Sequence, residues 1–145
     1  MFAKKLILMS AALLMFAPAA GAQDQPEKVI KHVPIKATSA ASGKEMYTSY
    51  CAVCHGTDGK GGGPAAGALK APPADLSVLS KNSGGKFPSM KVASAIRGDV
   101  NVPAHGSKDM PMWGQLFSTM SSGHQAEVQQ RVVNLSSYIE SLQAK

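Results

Sequence analysis

The apolar residues near the end of the chain repeat with a helical period. Val128, Val132, Leu135, Ile139 and Leu142 follow one another at spacings of four, three, four and three, which gathers them on one face of an amphipathic helix. Ser122 and Gln125 suit a capping box at its start. A second helix is expected from Ser42 or Gly43 to the cysteines at 51 and 54. Ser42 reads as its N-cap with Glu45 three residues on, and Met46, Tyr47 and Tyr50 form its apolar side. A third opens at Pro88, turns Val92, Ala93 and Ile96 inward and stops at Gly98. Ala71 to Leu76 reads as a turn into a short helix through Leu79. The stretches 56–64, 81–86 and 99–109 read as loops, rich in glycine or polar residues. No run of buried strands appears, so the fold class is all-α.

The first residues follow a different pattern. Lys4 and Lys5, the apolar run Leu6 to Phe16 and the small-residue exit Ala20-Gly21-Ala22 match a secretory signal peptide cut after Ala22. Residues 1–22 are therefore expected to be removed, 23–41 to form an extended arm or linker, and 42–145 to form one domain. The apolar run is too short to span a bilayer as a stable helix, so no stable membrane span is expected after cleavage. A retained N-terminal anchor is the alternative. Cleavage takes away Lys4 and Lys5 and no acid, lowering the formal net charge from +6 to +4. A mildly basic surface suits an acidic protein partner and is not a nucleic-acid patch. Export implies a periplasmic protein.

The chemistry sits in Cys51-Ala52-Val53-Cys54-His55. Two thiols separated by two residues, with histidine directly after the second, form an attachment site for c-type haem. Each thiol adds to one vinyl group of the porphyrin, and the histidine lies under the iron as an axial ligand. Three other readings compete. A thioredoxin-like dithiol belongs beside a βαβ pattern, which is missing. A zinc site needs more ligands; His32, His105 and His124 are available, but there is no second Cys-x-x-Cys. A disulfide across two residues closes too small a loop to stabilise much. The cofactor expected is one covalent haem c. The glycine-rich run after His55 lacks the Gly-Lys-Ser/Thr ending of a P-loop and the dinucleotide spacing. Its glycines are expected to let the backbone turn tightly against the flat ring.

In order along the chain stand Gly43-x-x-x-Tyr47, Cys51-x-x-Cys54-His55, Gly61-x-Gly63-Pro64, Met110-Pro111 and a last helix bearing Tyr138. From about Ser42 to Leu142 the chain resembles class I cytochromes c, small monohaem bacterial proteins with histidine and methionine ligands. The resemblance implies that the first and last helices cross at Gly43, with Tyr138 packed there. It implies that the Pro64 carbonyl accepts the N–H of His55, fixing its tautomer. It also implies a methionine as sixth ligand, to be chosen from Met46, Met90, Met110, Met112 and Met120 once the signal is gone. Met110 precedes a proline that holds it extended and stiffens its loop. Met112 and His105 remain rivals, Met46 reads as core, and Met90 and Met120 read as packing residues. Trp113 is expected either to donate its indole N–H to a haem propionate or to cover the haem edge as apolar bulk.

The function implied is one-electron transfer between redox protein partners, with no substrate site and hence no enzymatic activity of its own. Lys60, Lys70, Lys86 and Lys108 are candidates for the rim of the docking surface. Two alternatives stand beside it: a haem-bearing subunit of a periplasmic oxidoreductase, and a sensor or enzyme with an open iron site.

Overall fold

A computed structural model of the chain describes residues 35–99 and 111–144. Residues 1–34, His105, Lys108 and Met110 lie outside the described residues, and with them the expected signal peptide and most of the arm. Every described residue belongs to one compact unit.

Its first helix is built in three pieces. Helix α1 spans Gly43–Met46, and Ser42 Oγ accepts the Glu45 N–H at 3.2 Å, the expected cap. The return half of the capping box is displaced: Glu45 Oε2 takes the N–H of Ser39, also at 3.2 Å. The helix then widens into a π turn, Tyr47–Cys51, closed by the Ala52 N–H on the Tyr47 carbonyl. It tightens again into α2, Ala52–His55. Such wide turns often mark functional sites. Here the residues before it face one neighbour and those after it another.

That first neighbour is the last helix. Val128, Val132, Leu135 and Ile139 are all buried, as their spacing requires. Their helix, Gln125–Ser141, is labelled α5 below. The two helices meet at Gly43, where a Cβ would lie 2.0 Å from the Asn134 carbonyl oxygen and 2.9 Å from Tyr138 Cβ. The Tyr138 ring lies 5.2 Å from that of Tyr47. The start of α5 departs from the expected capping box. Ser122 sits at φ 49°, in the turn that ends the preceding helix, with its N–H on the Thr119 carbonyl. His124 is the N-cap instead and makes no side-chain cap bond.

Helix α3, Ser89–Arg97, begins after Pro88 and ends at Gly98 with φ 80°, as its sequence signals require. Helix α4, Trp113–Met120, was not expected. It buries Trp113 and Phe117 four residues apart. Gly114 weakens its helical signal, yet is needed there, because a Cβ would come 2.6 Å from the Arg97 carbonyl oxygen. Three 3₁₀ turns, Ala66–Ala68, Leu76–Val78 and Lys81–Ser83, fill the connections. The described residues are helical with no strand, so the fold is all-α. No helix among them is long and apolar enough to cross a membrane.

Arg131 is buried among the apolar residues of α5. A buried cation must be paired and hydrogen-bonded, and this one is. It donates to the Thr38 carbonyl at 3.0 Å and to Ser121 Oγ at 3.2 Å, and pairs with Glu127 at 2.8 Å. Its hydrogen bond, followed by that of Ser121, holds the Glu127 carboxyl below the usual range. Tyr50 donates to the Lys36 carbonyl at 2.6 Å, and Asn134 to that of Ala40 at 2.8 Å. Residues 36–40 of the expected arm are thus tied to the helices.

Candidate functional site

The π turn delivers Cys51 and His55 to one wall of a cavity with about 990 Å³ of atom-free space, part of it continuous with solvent. Ala74, Leu76 and Leu79 form a second wall, and Val92 and Ile96 of α3 a third. Trp113 and Ile139 close it from α4 and α5. Asn82, Ser83 and Lys91 add polar groups, and all three are exposed. Trp113 is stacked on Tyr50, with centroids 4.8 Å apart, and packs against Phe117 at 5.7 Å. Its place is that of a buried apolar wall.

His55 is buried, and its Nδ1 lies 2.9 Å from the Ala74 carbonyl oxygen. A carbonyl only accepts, so Nδ1 carries the proton and Nε2 keeps a lone pair for a metal. Burial lowers the pKa of the ring, and the bond to Ala74 opposes this. The imidazole is therefore neutral, as an iron ligand must be. Pro64, the acceptor expected from the resemblance, does not take this role. The chain after His55 folds back onto the end of α2, where Gly61, Gly63 and Ala65 donate to the carbonyls of His55, Cys54 and Val53 at 2.8, 3.0 and 2.8 Å. Those carbonyls would otherwise be left unpaired at the helix end. Pro64 is exposed in this cap, while Leu76 bonds to the Gly59 carbonyl at 2.7 Å and brings Ala74 under the ring. The glycines accordingly serve the helix end, with Gly56, Gly59 and Gly61 turning at positive φ. At Gly63 a Cβ would lie 2.5 Å from the Val53 carbonyl oxygen.

The Cys51 thiol is unsuited to dithiol exchange. Burial pushes Cys51 up to about 12, and the neighbouring Cys54 adds to this. A thioredoxin-like pair needs the opposite, an acidified and exposed sulfur. Cys51 lines the cavity as a neutral thiol, and Cys54 is half-buried.

Among the methionines, Met46 is fully buried, and Met120 is half-buried with its sulfur 3.9 Å from the Tyr50 hydroxyl. Met90 is 83% exposed and is not the packing residue expected. Its position on the outer face of α3 explains this, since Val92 and Ile96 take the inner one. Met112 is 55% exposed and lies against Gly98, where a Cβ would come 2.9 Å from Met112 Cγ. It is not among the residues lining the cavity.

The family model of cytochrome c matches residues 40–143. This chain belongs to the cytochrome c family. No individual curated protein and no solved structure matched it. Cytochromes c bind haem covalently, and the residues of this cytochrome fit that group. They supply the Cys51-x-x-Cys54 pair, a neutral imidazole with a free Nε2, and a cavity walled mainly by apolar side chains. The acceptor at Ala74 was not legible in the sequence, because any residue's backbone carbonyl can play that part.

Proposed function

We propose that this cytochrome is an exported one-electron carrier of the periplasm. The observation that carries the reading is the buried His55, its Nδ1 proton engaged by Ala74 and its other nitrogen left for iron. Bound haem would supply an iron able to change between ferric and ferrous. His55 would hold that iron through Nε2, and the Ala74 carbonyl would increase its electron donation. Leu76, Leu79, Val92 and Ile96 keep water away, so little rearranges as charge changes. Export rests on the N-terminal signal pattern.

Met110 would supply the second protein ligand to the iron in this reading. Support comes from its proline neighbour and from Met112, whose side chain is engaged at Gly98. Ferric haem with a methionine ligand has a weak red charge-transfer band, expected in the wild-type spectrum. Met110→Ala should abolish the band, admit carbon monoxide to the ferrous iron and lower the potential. Met112→Ala should leave the band in place. A wild type without the band, or one that binds carbon monoxide at neutral pH, would overturn the assignment and favour an open iron site.

The partner proposed is an acidic redox protein. Between Leu76 and Gly98 the chain carries Lys81, Lys86, Lys91 and Arg97 and no acid. The three lysines are exposed, and Lys91 also lines the cavity. Lys60 and Lys70 are exposed elsewhere. Electron-transfer rates should fall as salt rises, since exposed charges are screened over about 10 Å at 0.1 M. A rate indifferent to salt, with a partner retained through size exclusion, would instead make the protein a fixed subunit of an oxidoreductase.

A further inference from the structure

Ala74, which accepts the His55 N–H, belongs to a short segment, residues 74–80, whose only regular structure is the 3₁₀ turn Leu76–Val78. Besides the Leu76 N–H on the Gly59 carbonyl and the Asp75 carboxylate that accepts from Ser77, what holds that segment comes from the end of the chain. Gln143, just past α5, donates from Nε2 to the Leu76 carbonyl at 2.7 Å and to the Ile139 carbonyl at 3.0 Å. Its Oε1 accepts the Ser80 N–H at 2.8 Å. The amide is thus engaged at both ends and grips the segment at two points four residues apart. Ala144 adds its N–H to the Ser77 carbonyl at 2.8 Å.

These bonds close a ring. His55 ends the helix that meets α5 at Gly43. Helix α5 carries Gln143 at its end, Gln143 holds Leu76, and Ala74 two residues earlier returns to His55. The direction of the Ala74 carbonyl is therefore referenced to the helix that carries the ligand. We propose that Gln143 is a positioning residue for the proximal imidazole: it holds the Ala74 carbonyl in line with His55 Nδ1–H and thereby sets the electron donation of the ligand to iron. A polar side chain beyond the last helical turn, in contact with neither iron nor ligand, tunes the redox couple.

The inference rests on His55 ligating iron, and that is checked first. In the ferric wild-type protein the His55 ring protons must be paramagnetically shifted; if they are not, that reading fails before Gln143 is altered. The test proper uses the holoprotein with Gln143→Met, which keeps length and bulk and removes all three hydrogen bonds. Asn134→Ala serves as the comparison, because it loses a bond to Ala40 and touches neither Leu76 nor Ala74. A weaker bond at Nδ1 makes imidazole a poorer donor and favours ferrous iron. At fixed solution potential Gln143→Met should raise the ferrous-to-ferric ratio several-fold, because a less basic imidazole stabilises ferric iron less. It should also speed hydrogen exchange at His55 Nδ1. Asn134→Ala should change neither. The proposal is overturned if Gln143→Met leaves either readout at its wild-type value, or if Asn134→Ala shifts both as far.

Discussion

Gly43→Ala is expected to destabilise the holoprotein by about 3 kcal/mol, and Gly43→Val to prevent folding. The methyl group of alanine would enter at 2.0 Å from the Asn134 carbonyl oxygen and 2.8 Å from its carbon. Both atoms are backbone in the middle of α5, so no rotamer change relieves the contact and the helices must part. Parting them loosens Met46, Tyr47, Val132 and Leu135, all essentially without exposure. Against a total stability of about 5–15 kcal/mol this is a large fraction. Denaturant titration followed through the haem spectrum measures it. Gly67→Ala is the comparison: nothing lies within 4 Å of its Cβ position and its φ is ordinary, so it should be close to neutral. Equal midpoints for the Gly43 and Gly67 variants would show that the crossing tolerates a side chain.

The second large effect concerns attachment. Acid-acetone extraction of the wild type should leave the haem on the polypeptide. Cys51→Ala or Cys54→Ala alone should leave one thioether and reduce the yield of mature protein. The double substitution should release all the haem. Cys51 is the buried partner, with 9% exposure, and lines the cavity. Its loss therefore also opens space in the wall, and the Cys51 variant should give the lower yield of the two. Haem that extracts freely from the wild type would contradict covalent attachment by this pair.

Legibility in the sequence varied with the kind of force involved. The buried face of α5 was readable because a helical period is written in side chains. So was the crossing at Gly43, once the ordered motifs suggested the family. Helix α4 was hidden because Gly114 weakens its helical signal, while the close approach to Arg97 that requires glycine is a tertiary fact. Arg131 lies three residues after Val128 and four before Leu135. Its face could have been read, but a charge is ordinarily assigned to solvent, and its partners Thr38 and Ser121 are remote in sequence. Ala74 and Gln143 were beyond reach for another reason. A backbone acceptor has no residue signature, and an amide near the end of a chain signals nothing until the segment it holds is seen.

The π turn at Tyr47–Cys51 has a geometric consequence. Each helical residue advances the face by about 100°, and a residue added without an added turn rotates everything after it by that angle. Gly43, before the turn, meets Asn134 and Tyr138 of α5, and His55, after it, lines the cavity. The wide turn is the angular offset between those two aims. Fit at the crossing and aim of the attachment pair become separate variables, so sequence drift on one side of the offset can proceed without re-aiming the other.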